Sequence, residues 1–199
     1  MKSDPKDIIA QWRRLEGWLA AHSPGDYSTL RRGATGEEID HVENELTYSL
    51  HPSLKKLFSL RDGVNKRRTS LDPGAFLLNY SMLSSGRALD EQRGLESVIE
   101  DAIEEGIESY VIGTLADARW VPFAGTFSGS ILFVDHRPGV SYGKIGEIIP
   151  GNPEYVVLWD SLEAMLSDLC DALDAWAPLS GKNLTPILTG DGHLQWGHE

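Results

Sequence analysis

The sequence has little cysteine and no long apolar run, and both shortages limit the classes of protein it can belong to. Its one cysteine, Cys170, has no second cysteine in the chain with which to form a disulfide. No apolar stretch approaches the roughly 18 residues that a membrane-spanning helix needs. Residues 1–7 are not followed by the apolar segment of a secretory signal. We therefore expect a cytoplasmic protein that is not embedded in a membrane.

The sequence also lacks the short motifs of common enzymes and cofactor-binding proteins. It contains no P-loop, no Gly-x-Gly-x-x-Gly and no Gly-x-Ser-x-Gly, since residues 125–129 read Gly-Thr-Phe-Ser-Gly. Its six histidines are scattered, and no His-Glu-x-x-His occurs. We therefore expect no catalytic residue, no cofactor and no metal ion.

Two side chains keep a catalytic alternative open. Cys170 lies on the leucine-rich face of a predicted helix, where burial would raise its thiol pKa and favour a structural role. Asp135 follows a β-rich run and is either a catalytic carboxylate or the first residue of a turn over 135–139. The turn is favoured, because aspartate bonds readily to its own local backbone.

Lysine and arginine are scarce in the second half of the sequence. The chain has 18 Lys and Arg against 30 Asp and Glu, a net charge of −12. Residues 96–199 contain 4 of the basic residues and 17 of the acidic ones, whereas residues 1–95 contain 14 and 13. A field of this sign repels nucleic-acid phosphates and attracts cationic proteins. We expect no nucleic-acid partner and consider a basic protein partner, although solubility alone also explains an acidic surface.

Residues 84–106 are predicted to be helical in their second part, where acidic residues lie on the outer face. Like charges four residues apart destabilise a helix by a few tenths of a kcal/mol per pair. A ladder of this kind indicates a basic partner, with chance or solubility as the alternative. The predicted partner-binding residues are Glu100, Glu104, Glu105 and Glu108. The residues predicted to face inward are Val98, Ile99, Ala102 and Ile103.

A basic cluster in the first half has two interpretations. It consists of Lys55, Lys56, Arg61 and the run at 66–68. It either contacts phosphate or an acidic partner, or it belongs to a solvated loop. The absence of interleaved aromatic residues beyond Phe58 favours the solvated loop.

The pattern of apolar residues predicts helices first and strands later. Helices are expected over 5–21, from capping residue Thr35, from 52, in the second part of 84–106 and over 161–176 after capping residue Ser161. Short β-rich runs occur at 76–80, 110–113, 119–123, 130–135, 144–149 and 155–159, and residues 184–196 read as a hairpin. The predicted fold is α+β, with one mixed, mainly antiparallel sheet covered by helices and a C-terminal hairpin. We expect one domain over 1–199, with a core at about 8–176 and an extension at 177–199.

Three segments together resemble the SMI1/KNR4 (SUKH) superfamily. Residues 50–63 are similar to its leucine-proline segment, which leads into a short helix and an acidic residue before glycine. Residues 120–135 resemble its strand pair, with Trp-x-Pro at one end and a terminal aspartate at the other. Residues 143–166 resemble its last core strands and serine-capped helix.

This resemblance implies an α+β fold and a protein that is not an enzyme, with no catalytic residues to carry over. Many bacterial members look like immunity proteins that neutralise a toxin, and the fungal founders look like interaction hubs in cell-wall regulation. The sequence therefore predicts a protein-binding module, with a basic toxin domain as the expected partner. The alternatives are a regulatory interaction scaffold and a small-ligand-binding domain. The last of these predicts a pocket that joins Trp120 or Trp159 to polar groups such as Asp135.

Overall fold

The computed structural model describes residues 7–65 and 72–198. Within these ranges the chain forms seven helices, a five-stranded antiparallel sheet and a two-stranded hairpin, which confirms the predicted α+β class. The helices are α1 (Ile8–His22), α2 (Pro24–Tyr27), α3 (Gly36–Leu46), α4 (Pro52–Leu60), α5 (Ser85–Glu105), α6 (Glu108–Val111) and α7 (Leu162–Ala175). The strands are β1 (Ser81–Met82), β2 (Trp120–Gly125), β3 (Ile131–Asp135), β4 (Ile145–Ile148), β5 (Val156–Trp159), β6 (Leu184–Leu188) and β7 (Leu194–His198). None of the described helices is both long and apolar enough to cross a membrane.

Side-chain caps set the starts of the five longer described helices. Thr35 and Glu38 form the predicted capping box, in which the Thr35 amide donates to the Glu38 carboxylate at 2.7 Å. The hydroxyl of Ser161 accepts from the Ala164 amide at 3.1 Å, as expected for the cap of α7. The first helix begins at Ile8, and the expected start at residue 5 lies outside the described residues.

The five-stranded sheet is a meander in which β1 to β5 lie in chain order. The connections from β2 to β5 are short, and a parallel crossover would need about a dozen residues or more, whereas α5 and α6 lie between β1 and β2. The register places Trp120 opposite Asp135 and Ile145 opposite Trp159. All four strand pairs are antiparallel, so this sheet lacks the parallel pairing of a mixed sheet.

The sheet has an apolar core on each face because its side chains alternate. Val121, Leu132 and Val134 point into the larger core, together with apolar residues of α1, α3, α4 and α7. Trp120 and Phe133 point to the opposite face, where residues of α5 and α6 cover them. The sheet therefore lies between two helical layers, and α5 and α6 belong to the thinner one.

The C-terminal hairpin packs on the larger core. Leu194 and Trp196 are buried, and both belong to that core. Asn79 donates to the Trp196 carbonyl oxygen at 2.7 Å and accepts from the Trp196 amide at 2.9 Å. The carboxylate of Asp26, itself buried, accepts from the Leu194 amide at 2.6 Å. The described part of the predicted extension, 177–198, thus contributes side chains to the core.

Two β-rich runs do not form the expected strands. Residues 110–113 were predicted to be extended, but Glu108–Val111 form the short helix α6. Residues 76–80 form a tight turn in which Leu78 and Asn79 have positive φ angles of 56° and 68°, and the strand begins only at Ser81. Short apolar runs do not distinguish a strand from a buried turn of helix, so the surrounding packing decides between them.

Candidate protein-binding surface

The last turns of α5 and the start of α6 place all four predicted glutamates on the protein surface. Helix α5 begins after the N-cap Ser84 and ends at Glu105, and its C-cap Gly106 adopts the left-handed conformation (φ 71°). This C-terminal cap separates α5 from α6 and turns the chain between them. The acidic surface, as we call it, consists of the exposed residues Glu100, Glu104, Glu105 and Glu108.

No cation neutralises the acidic surface within the part of the chain that the structure describes. Its carboxylates form none of the ion pairs found there, whereas Arg93, on the first half of α5, pairs with Glu45 of α3. The helix ends without a basic residue in its last turn. The repulsion among these carboxylates is therefore uncompensated, and the surface carries a concentrated negative field.

Large apolar side chains are exposed beside the acidic surface. Ile103, Ile107 and Tyr110 are 56%, 40% and 78% exposed, and we call them the apolar patch. They lie in the same 11-residue stretch as the four glutamates, 100–110, which runs from α5 into α6. Exposed apolar side chains with a charged rim are typical of protein–protein interfaces.

The exposure of Ile103 corrects the prediction made for the inner face of α5. Val98 and Ile103 were expected to face inward but are 44% and 56% exposed, while Ala102 is buried and Ile99 is half-buried. Helix α5 buries a narrow stripe, to which Leu95 and Ala102 belong. Val98 and Ile103 lie at the two margins of this stripe, and helical periodicity alone does not give its width.

A small aromatic core holds the end of α5 against the sheet. Ala102 and Val111 are buried over Trp120, whose ring stacks on Phe133 with ring centroids 4.4 Å apart. The guanidinium of Arg137 covers the Trp120 ring at 5.1 Å. These contacts fix the orientation of the helix end, so the acidic surface has a rigid support.

Asp135 has a structural role, as the predicted turn over 135–139 indicated. Its carboxylate accepts from the Arg137 amide at 2.8 Å and from the Arg137 guanidinium at 2.6 Å. Arg137 also donates to the Tyr155 hydroxyl at 3.0 Å, and the bond to Asp135 raises the pKa of Arg137. The two charges offset each other, which leaves no free carboxylate for acid–base chemistry at this position.

A polar groove lies between the starts of α4 and α7. Its volume is about 660 Å³, and it is lined by His51, Ser53, Ser161, Glu163, Ala164, Ser167 and Asp168. The Ser53 hydroxyl donates to Glu163, and the Trp159 indole donates to Asp168 at 2.9 Å. Trp120, Trp159 and Asp135 do not line this groove, but Trp159 bonds to Asp168, which does, so the groove matches the pocket predicted for a small-ligand-binding domain only in part.

The described part of the basic cluster is largely paired. Lys55 lies 2.7 Å from the Glu43 carboxylate, and Arg61 pairs with Glu16. These pairs reduce the positive charge that a phosphate would meet. The run at 66–68 lies outside the described residues.

Cys170 is buried on α7, as its position on the leucine-rich face predicted. Burial raises the pKa of its thiol to about 12, so the nucleophilic thiolate is scarce near neutral pH. Among residues 7–65 and 72–198, no group of three or more His, Cys, Asp or Glu side chains is placed to hold a metal ion.

Comparison with known proteins relates this chain to fungal regulators. It is 24% identical over 214 residues to the "Cell wall biosynthesis/cell cycle regulator smi1" of Schizosaccharomyces pombe, covering 98% of this chain and 42% of that protein. It is 19% identical over 226 residues to the "Cell wall assembly regulator SMI1" of Saccharomyces cerevisiae, covering 94% of this chain and 45% of that protein. The chain therefore spans less than half the length of either relative.

The model of the SMI1 / KNR4 family (SUKH-1) matches residues 33–168. The matched region runs from the cap of α3 into α7 and includes the whole five-stranded sheet, the acidic surface and the polar groove. The three segments that resembled this superfamily at 50–63, 120–135 and 143–166 all fall within it. The chain thus belongs to the SMI1/KNR4 family (SUKH-1).

Proposed function

We propose that this chain is a non-enzymatic protein-binding module whose acidic surface and apolar patch bind a basic protein. The observation that carries the proposal is the set of four unpaired carboxylates around three exposed apolar side chains. The apolar side chains would supply affinity, because they lose contact with water on binding. The carboxylates would accelerate encounter with a cationic surface. Neither contribution needs a cofactor.

The partner we propose first is a toxin domain that the chain neutralises in the cytoplasm. A toxin that cuts nucleic acid needs a basic surface to hold phosphates, and such a surface complements the acidic surface of this chain. The chain would inhibit such a toxin by covering its active site. The immunity role that the family resemblance implies for many bacterial members supports this choice.

The second candidate is a regulatory interaction scaffold. The names of the two fungal relatives, which describe regulators of cell-wall assembly and of the cell cycle, favour this role. A scaffold would use the same surface for several weaker partners, whereas an immunity protein would hold one partner in a stoichiometric complex.

A pull-down with a matched charge control tests the proposal. The tagged chain is compared with the variant E100K/E104K/E108K and with E37K/D40K/D90K, which changes the net charge equally at exposed positions outside the acidic surface. We expect the native chain and the control to retain a basic protein at low salt, and the first variant to lose it. With the purified partner, we expect association at least about tenfold slower for the first variant.

The outcome also separates the two candidates. One stoichiometric basic protein that is toxic in cells lacking this chain supports the immunity role, and several substoichiometric partners support the scaffold. Equal association rates for both charge variants at low salt would contradict binding through the acidic surface.

A further inference from the structure

Helix α7 lines the polar groove with two small side chains between two carboxylates. Each residue of an α-helix is turned about 100° from the one before it, so Glu163 and Asp168 lie about 140° apart around the helix axis. Ser167 and Ala164 lie between them on the same face, and all four line the groove. The small side chains leave the space above the helix open, and a carboxylate stands on each side of it.

Both carboxylates are held in place and keep one oxygen free. The Ser53 hydroxyl donates to Glu163 Oε1, and the Trp159 indole donates to Asp168 Oδ2 at 2.9 Å. Among the residues that the structure describes, none donates to Oε2 of Glu163 or Oδ1 of Asp168, and neither carboxylate forms an ion pair. Two oriented carboxylates with free oxygens favour a ligand that carries positive charge.

The lining of the groove offers no positive charge to an anion. His51 is the one lining residue that could become cationic. Its ring nitrogen Nδ1 accepts from the Ser53 amide at 3.3 Å, and burial lowers its pKa, so the ring is neutral near pH 7. An anion would therefore meet two carboxylates and a neutral ring.

Two lysines lie near the groove but do not neutralise it. Lys182 covers the Trp159 ring at 4.9 Å, and Lys144 pairs with Asp160 at 3.4 Å. Within the described ranges, neither lysine forms an ion pair with a carboxylate of the groove. Asp160, which is exposed directly after β5, offsets one of the two lysine charges. The field in the groove therefore stays negative.

The spacing of the carboxylates suits an extended ligand with two positive ends. Glu163 and Asp168 are five positions apart, which is about 7.5 Å along the helix axis. A linear diamine of four or five carbons has its nitrogens about 6–8 Å apart when extended. A metal ion is a poorer match, because no group of three or more His, Cys, Asp or Glu side chains in the described ranges is placed to hold one. The groove volume of about 660 Å³ is typical of small-molecule sites.

We propose that the polar groove binds an aliphatic diamine, either free or as part of a longer polyamine. One ammonium group donates to the free oxygen of Glu163 and the other to that of Asp168. The methylene chain between them lies over Ala164, and the hydroxyl of Ser167 accepts from an ammonium N–H. The site is separate from the acidic surface, which lies on the other side of the five-stranded sheet.

NMR titration of the ¹⁵N-labelled full chain with 1,4-diaminobutane and 1,5-diaminopentane, at pH 7.5 and low salt, tests the proposal. We expect saturable shifts of the amides at 161–168 and a dissociation constant on the order of 100 µM. The monoamine 1-aminobutane should bind at least about tenfold more weakly, because it carries one charge. The absence of saturable shifts at about 5 mM diamine would overturn the proposal. Equal affinity for the monoamine would also overturn it, since a single ammonium group, such as that of a lysine side chain on a partner protein, would then suffice.

A charge variant with a matched control tests the two carboxylates. E163Q/D168N keeps both hydrogen-bond acceptors but removes both charges, so it should raise the dissociation constant for the diamines at least about tenfold. The control D90N/D101N removes two charges at exposed positions of α5 and should change the dissociation constant less than about twofold. Equal weakening in the two double variants would contradict the proposal, because binding would then follow net charge alone.

A third variant tests the shape of the groove without changing its charge. S167L fills the space between the two carboxylates and should also weaken diamine binding at least about tenfold. A native affinity in S167L would show that the diamine lies elsewhere. Circular dichroism confirms that each variant is folded before it is compared. None of these results bears on the binding of a basic partner at the acidic surface.

Discussion

At the scale of the single residue, His136 shows how packing fixes one protonation state. The His51 backbone N–H donates to His136 Nε2 at 2.8 Å, so this nitrogen carries no proton. The other ring nitrogen, Nδ1, lies 2.9 Å from the Val134 carbonyl oxygen and therefore donates to it. The ring is thus neutral, and burial lowers its pKa to about 4.

Stability should therefore fall as the pH drops from about 6.5 to 4. The unfolded chain takes up a proton on His136 near pH 6.5, whereas the folded chain resists this until about pH 4. Because the unfolded state binds more protons in this window, acid favours unfolding by up to about 3 kcal/mol. Urea denaturation at several pH values measures the loss.

The variant H136Q provides the control, since glutamine does not titrate. It should be less stable than the native chain at pH 7 but should lose less stability between pH 6.5 and 4. Equal pH slopes for the two proteins would assign the acid sensitivity to other groups. Carboxylates with lowered pKa values, such as Glu38 at about 2, lose their contribution at lower pH.

At the scale of the element, the sequence of α5 places acidic residues where they weaken the helix but make its surface negative. Glu100 and Glu104 repel each other one turn apart, and the acidic residues at 104 and 105 lie at the negative end of the helix dipole. A lysine at position 104 would remove both penalties. Selection for helix stability alone does not produce this arrangement.

We therefore expect E104K to stabilise the free chain by about 0.5 kcal/mol. The same variant should bind a basic partner more slowly, so stability and binding should change in opposite directions. E104Q, which removes the charge without reversing it, should give a smaller effect in both measurements. Urea unfolding and stopped-flow association measure the two properties, and a destabilised E104K would refute this account of α5.

The elements also show what the sequence could and could not predict. The caps at Thr35 and Ser161 were predicted correctly, because they depend on residues only three positions apart. The glutamates were placed on the surface correctly for the same local reason. The apolar patch was missed, because Ile103 was assigned to the inner face of α5 and Tyr110 to a β-rich run. Packing against residues distant in the sequence decides both positions. The polar groove was missed because it joins residues of α4 to residues about 110 positions later in the chain.

At the scale of the whole molecule, the C-terminal hairpin completes the core. Trp196 is 3% exposed, and its indole donates to the Phe76 carbonyl oxygen at 2.9 Å. W196A should therefore cost about 3–5 kcal/mol of unfolding free energy, a large part of the 5–15 kcal/mol typical of a domain. The control W176A removes a tryptophan that is 47% exposed and should cost less than about 1.5 kcal/mol. Thermal and urea unfolding compare the two, and equal losses would show that the hairpin is only loosely attached.

The buried carboxylate of Asp26 sets an order of events during synthesis. It accepts from the amides of Gly74 and Leu194, and Leu194 lies 168 positions later in the chain. At roughly 5–20 residues per second, a ribosome needs about 10–30 seconds to add that length. During this interval Asp26 lacks one of its two backbone donors, and the nascent chain cannot reach its final packing. The growing protein therefore keeps part of its apolar core exposed until its last residues have been synthesised.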